Sequence, residues 1–274
     1  MEIVDLTSNY LPFAEGTADI AEYQSSYPAF FNHYAKFWGG GATPATMLPG
    51  ELVELRRELV LRHLYAASSR LEECGIGTEG IRAVLFVGNN LANGHAFLDG
   101  DTCVAWFALE TFETELTCKV FVMHELIHAL HYKATPQFFF TTKEEQYSIS
   151  RQLVVEGIAT HLTKSLWGLT DEEALWGDVL TPEEIRAWMR RCSDVEQQLL
   201  DFVLDHFDSS NPSIQLFNHT DSSDIYSNRA GYFAGFKVIE RIASSNELTP
   251  YELLTIPHDK LMTLTREMIH QMIV

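Results

Sequence analysis

His124-Glu125-Leu126-Ile127-His128, with Val120-Phe121-Val122-Met123 leading in and Ala129-Leu130 leading out, is the stretch around which the rest of the chain organises. Its apolar flanks predict a helix, and on a helix side chains four apart share one face with Cβ atoms about 5–6 Å apart. Two imidazoles so placed can meet one zinc ion at roughly 2.0–2.1 Å each. With His124 at zero and about 100° per residue, His128 falls at about 40° and Glu125 at about 100°, so the carboxylate flanks the pair and can reach a water held there. Met123, Leu126, Ile127 and Leu130 fall at roughly 200–300°, a stripe that predicts one face packed and the other left for chemistry. A chain with 11 His in 274 residues shows such a pattern by accident about once in thirty, and accidents fall as readily in polar loops. These residues predict zinc-dependent hydrolysis, with peptide bonds as the leading substrate.

A catalytic zinc takes three protein ligands and keeps a fourth position open. Metzincin spacing would require Gly at 131 and His at 134, where the chain has His131 and Ala134, and the inverted order His-x-x-Glu-His is absent from this stretch. His131 shares the metal face but lies about 10 Å along the axis from His124, which suits a neighbour or a helix C-terminal group better than a ligand. A carboxylate from a following helix remains. In Leu153-Val154-Val155-Glu156-Gly157-Ile158-Ala159 a charge stands in an apolar run, where burial is costly unless something pairs with it. Gly157 and Ala159 are small enough to let that helix approach the first closely. Glu144 and Glu145 compete, but they stand in Thr141-Thr142-Lys143-Glu144-Glu145-Gln146, where acidic residues favour a helix start in any case.

His124-Glu125-x-x-His128, then Glu156-Gly157-Ile158-Ala159, then Arg229-Ala230-Gly231-Tyr232-Phe233-Ala234-Gly235-Phe236-Lys237-Val238-Ile239 follow one another in order. In these motifs, over roughly residues 80–245, the chain resembles a bacterial family of predicted zinc-dependent proteases of gluzincin type, domain of unknown function 2268. The resemblance implies zinc at His124, His128 and Glu156, with Glu125 as general base. It also implies a zincin-like α+β fold as one peptidase domain: a small sheet and the active-site helix in an N-terminal lobe, residues 1–135, and a mostly helical C-terminal lobe, residues 136–274. Gluzincins such as thermolysin carry an Asp four residues after the Glu ligand, and that position here is Thr160.

The third motif has its own physical reading. Gly231 and Gly235 are four apart, so a helix through residues 225–244 would carry a smooth groove for another helix. Mid-helix glycine costs about 1 kcal/mol relative to alanine, which asks for a packing or functional reason. Tyr232 lies beside that groove with Arg229 one turn earlier, and a hydroxyl or guanidinium there could steady the oxyanion of a carbonyl under attack. The plainer roles are a core aromatic and a surface charge. His219, in the polar stretch 208–224, is a candidate helper at the substrate, against the plainer reading of a solvated loop histidine.

The chain has 19 basic and 38 acidic residues, a net charge of −19. That excludes a nucleic-acid backbone as the expected partner, since such binding needs a basic surface, and mildly favours cationic substrates. The partner expected is a peptide or protein substrate. Cys74, Cys103, Cys118 and Cys192 show no Cys-x-x-Cys pairing and read as thiols of a reducing compartment. Met1-Glu2-Ile3-Val4-Asp5 has no basic n-region or apolar h-region, and no run of about 18–20 apolar residues spans a membrane. A cytoplasmic location is therefore expected; the sequence fixes no oligomeric state. A competing reading is a noncatalytic zinc-containing regulatory or peptide-binding protein on the same scaffold. The intact Glu125 counts against it, because binding alone needs no base.

Helical rhythm predicts helices over residues 18–36 and 51–73, parted by Gly39-Gly40-Gly41 and Pro44. Strand-like runs follow at 83–87, 95–98 and 103–108, divided by Asn89-Asn90, Asn93-Gly94 and Asp99-Gly100. The strand nearest a zincin site often lies at a sheet edge, where an extended peptide can add; Asn89, Asn90 and His95 are candidates for that cleft, although turns explain the Asn-Gly punctuation as well. After Pro136 the chain reads as mostly helical, and Thr181-Pro182-Glu183-Glu184 starts a helix expected to reach about residue 207. The aromatic runs Tyr27 to Tyr34 and Phe138-Phe139-Phe140 read as core.

Overall fold

A computed structural model describes residues 1–38 and 47–273, so the Gly39-Gly40-Gly41 and Pro44 break lies outside the described residues. The fold is α+β, and the chain divides into two compact units, Met1–Leu130 and His131–Val274.

The first unit runs β1 (Glu2–Asp5), α1 (Thr7–Ala14), α2 (Ile20–Ser25), α3 (Pro28–Phe37), α4 (Gly50–Glu73), β2 (Ile81–Phe86), β3 (Gly94–Asp99), β4 (Thr102–Ala108) and α5 (Glu115–Ala134), whose last turn belongs to the second unit. Its strands form one sheet in the order β1-β2-β4-β3. β1, β2 and β4 are parallel, while β3 returns antiparallel to β4. β2 and β4 are apolar and buried almost throughout, the signature of strands covered on both faces. The β3–β4 hairpin turns through Gly100 at φ 60°, a conformation glycine adopts at little cost.

The aromatic run of α3 covers one face of this sheet. Phe30 and Tyr34 meet Phe86 and Trp106 with ring centroids 4.7–6.5 Å apart and mostly edge-on, and burying each such ring contributes about 1.5–3 kcal/mol. The long first helix expected from the sequence is divided into α2 and α3. The residue before Pro28 is driven out of helical geometry by the proline ring, and Tyr27 sits at φ −148°, ψ 77°. β1 and α1 had no counterpart in the sequence reading, because Ile3-Val4 is too short a run to signal a strand alone; in the fold it pairs in register with Ala83-Val84.

α5 departs from the expected division between a packed and an open face. Met123, Leu126 and Ile127 are fully buried, but His124 and Glu125 are also only 6% exposed and His128 5%. The side expected to carry the chemistry is thus enclosed, in part because the start of β3 closes over Glu125.

The second unit continues with α6 (Ile149–Trp167), α7 (Asp171–Trp176), α8 (Pro182–Asp194), α9 (Glu196–Asp205), α10 (Ala230–Ser245), α11 (Pro250–Thr255) and α12 (His258–Ile273). α6 and α10 pack backbone to backbone: Gly157 lies against the Gly235 carbonyl, and a Cβ on Gly235 would stand 2.5 Å from the Leu153 carbonyl oxygen. Gly157 therefore serves the α6–α10 contact, and Gly231 lies under the Phe217 ring. α10 begins at Ala230 and not at 225, because residues Ile225–Ser227 form a separate 3-10 turn and Arg229 takes φ 58°. Lys164 and Lys237 straddle Asp171 at 2.6 and 2.8 Å, tying α6, α7 and α10 together. The Thr181–Glu184 capping box forms as expected, but the helix it starts ends at Val195 (φ −116°, ψ 17°) and α9 follows separately. The polar connection 208–224 is held by buried Leu216 and by Arg191, which donates to the carbonyls of Ser222 and Ser223 at 2.6 and 2.7 Å.

Candidate metal centre

The helical spacing in α5 places one ligand atom each from His124, Glu125 and His128 within 4.8 Å of one another, all three residues buried. The two Nε2 atoms lie 3.0 Å apart, and the rings stand nearly perpendicular at 82°. Two neutral imidazole nitrogens that close require a proton or a cation between them. Nitrogen ligands at roughly 2.0–2.1 Å on one tetrahedral zinc stand about 3.3 Å apart, so the observed spacing and the donor types fit zinc.

Glu125 owes its place to a residue the sequence reading passed over. Gly94 reads as turn punctuation after Asn93, yet it is the first residue of β3, and a Cβ there would stand 2.6 Å from Glu125 Cγ and 2.9 Å from the Trp106 carbonyl oxygen. Glycine at a strand position signals a close approach by another group, and that was the available clue.

Glu110, just past β4, was also passed over. It is 5% exposed, and its carboxylate accepts the backbone N–H groups of Gly88 at 2.8 Å and Asn90 at 3.0 Å. Burial raises its pKa above the ordinary carboxylate value against the lowering effect of those bonds. A lone Glu between Leu109 and Phe112 was the signal, the same one that singled out Glu156.

His131 stands apart from the three-residue group. It is 1% exposed and lies against Phe138 with centroids 4.6 Å apart and ring planes tilted by 34°, so it packs as an aromatic. Glu156 is half-buried on α6, where Val155, Gly157, Ile158 and Ala159 are buried. Its competitor Glu145 is committed to a turn: it accepts from Thr141 Oγ1 at 2.6 Å, Thr141 N at 2.7 Å and Thr142 N at 3.2 Å, and pairs with Arg151 at 3.2 Å. The bonds from Thr141 hold its pKa below the ordinary value.

Arg229, Tyr232 and His219 share a neighbourhood centred on Trp176. The Arg229 guanidinium lies 4.4 Å from the Trp176 ring and 4.3 Å from the Tyr232 ring and donates to the Leu175 carbonyl at 3.2 Å. Tyr232 is half-buried and meets Phe217 edge-on at 5.9 Å. His219 is exposed, bridges to Asn228 and lies 6.1 Å from the Trp176 ring. Trp176 carried no sequence signal, since only the fold brings α7 to the start of α10.

The four cysteines are free thiols, and burial pushes Cys192 up to about 12 and Cys118 upward as well. No helix among the described residues is long and apolar enough to cross a membrane. No curated protein and no solved structure matches the chain. A family model, by contrast, matches residues 95–263, from β3 into α12, a span that contains His124, Glu125 and His128 and most of the second unit. On that match the chain belongs to the family described as Predicted Zn-dependent protease (DUF2268).

Proposed function

We propose that the chain hydrolyses peptide bonds, with zinc held by His124, His128 and Glu156 in the manner of a gluzincin. The observation that carries this reading is the 3.0 Å approach of the two imidazole nitrogens with the Glu125 carboxylate in the same buried group. Glu156 as third ligand is supported by its half-buried place in an apolar helix and by the commitment of Glu145 to the Thr141–Thr142 turn. When bound, zinc supplies a Lewis acid that eases deprotonation of the attacking water and polarises the scissile carbonyl. Glu125 takes the water's proton and passes it to the leaving amine. The close approach of Gly94 to the Glu125 side chain limits the orientations open to that carboxylate, so little reorganisation accompanies the transfer.

Tyr232 donates to the oxyanion, and Arg229 and His219 border the substrate. Support for Arg229 comes from its φ of 58°, since a non-glycine residue holds such a conformation at roughly 1–3 kcal/mol and such outliers gather at functional sites. The net charge of −19 favours peptides with basic residues. Four free thiols support work in the cytoplasm.

Metal analysis tests the ligand set. About one zinc per chain is expected, lost in His128→Ala and Glu156→Ala and kept in Glu145→Ala. Zinc kept in Glu156→Ala but lost in Glu145→Ala would replace the third ligand.

A further inference from the structure

Two elements of the first unit converge on the segment between β2 and β3. Glu110 grips it through the amides of Gly88 and Asn90. Tyr34 of α3 grips it at the residue between: its hydroxyl accepts the Asn89 N–H at 3.0 Å and donates to the Asn89 side-chain oxygen. Gly88 is required for this grip, because a Cβ there would stand 2.7 Å from the Tyr34 hydroxyl and 2.8 Å from Glu110 Oε1. Asn90 takes φ 60°, a left-handed conformation that asparagine tolerates better than most residues. Four residues later the same segment delivers Gly94 against Glu125, and Ala108 anchors the last step by donating to the Asn93 carbonyl at 2.9 Å.

We infer that Glu110 is a positioning residue for Glu125, acting through the backbone of residues 88–94: its two acceptor oxygens fix the loop that sets where Gly94, and with it the Glu125 side chain, can lie. The inference rests on the reading of Glu125 as general base. A buried carboxylate whose pKa burial has raised is ionised at some cost to the fold; what it supplies in return is two acceptors on one loop, which a neutral side chain of the same shape cannot. Glutamine at 110 would keep one acceptor and present an NH2 group to the other backbone N–H.

The test compares Glu110→Gln with wild type and with Glu125→Gln on a peptide that the wild type cleaves. Expected for Glu110→Gln are unchanged zinc content, faster hydrogen exchange in the peptide covering residues 87–94, and kcat lowered about ten- to a hundredfold per folded chain with KM nearly unchanged. Should Glu110→Gln fail to fold, Tyr34→Phe loosens the same loop at Asn89 and carries the same expectations. Faster exchange with kcat unchanged overturns the inference, as does a rise in KM alone, which would assign the loop to substrate binding. A different failure marks the underlying reading: if Glu125→Gln cleaves as well as wild type, Glu125 is not the base, whatever Glu110 does.

Discussion

Gly94 and Glu125 occupy one space. The missing side chain at the start of β3 leaves the room that Glu125 Cγ takes, and a Cβ at position 94 would stand 2.6 Å from it, with the Trp106 carbonyl oxygen 2.9 Å away on the strand side. A backbone carbonyl in a paired strand does not move aside, so the carboxylate must. Gly94→Ala is expected to lower kcat about ten- to a hundredfold, the usual cost of displacing a catalytic group by about an ångström, while zinc content stays at wild-type level. Steady-state kinetics with metal analysis check this, and an unchanged kcat would show that Glu125 has room elsewhere.

Tyr232→Phe separates a catalytic hydroxyl from a packing ring. The ring contacts with Phe217 and Arg229 survive the change. Loss of one oxyanion donor is expected to reduce turnover about a hundred- to a thousandfold, with thermal stability and zinc content held. Full turnover in the phenylalanine variant would return Tyr232 to packing alone.

The α6–α10 contact is a stability feature of the second unit. A Cβ on Gly235 meets the Leu153 carbonyl at 2.5 Å and the Gly157 backbone at 3.3–3.4 Å, and neither neighbour is a flexible side chain. Gly235→Ala should destabilise by about 1–3 kcal/mol, the range for overpacking a close contact, seen as a lower urea midpoint with a similar slope. An unchanged midpoint would mean that the helices separate without cost.

His33 supplies a pH signature. Its ring stacks on Phe97 at 3.8 Å, and burial, aided by Lys36 and opposed by Asp99, lowers its pKa from 6.5 to about 4. The folded state thus refuses a proton that the unfolded chain accepts. The stability tied to this group is complete above pH 6.5 and is lost as pH falls from 6.5 through about 4. Melting temperatures across that window should fall more steeply for wild type than for His33→Phe, which keeps the stack and cannot titrate. Parallel curves would contradict the assignment.

The order of elements around the site was legible because each signal was local. The strands at 81–86, 94–99 and 102–108 stand within two residues of the expected runs, and the three-residue group on α5 follows from helical spacing alone. What escaped depends on partners distant in sequence. Ile3-Val4 becomes a strand only beside β2, and Gly94 looks like a turn glycine until Glu125 is brought against it. In the sequence Gly157 suggests a close approach of α6 to α5, whereas Gly235, 78 positions on, is what it meets. Pro136 marks its boundary plainly and Pro28 carries the same signal inside the helix expected over residues 18–36, but the Val195 break carries no proline or glycine to announce it.

Central to this account is that Glu125 performs the proton transfer in a zinc-dependent peptidase. The most direct measurement is cleavage of a mixed peptide library, read by mass spectrometry, by zinc-loaded wild type and zinc-loaded Glu125→Gln. The account predicts cleavage at defined bonds by the wild type and none by the glutamine variant, each carrying about one zinc per chain. Equal cleavage by both proteins, or none by the loaded wild type across a broad library, would contradict it.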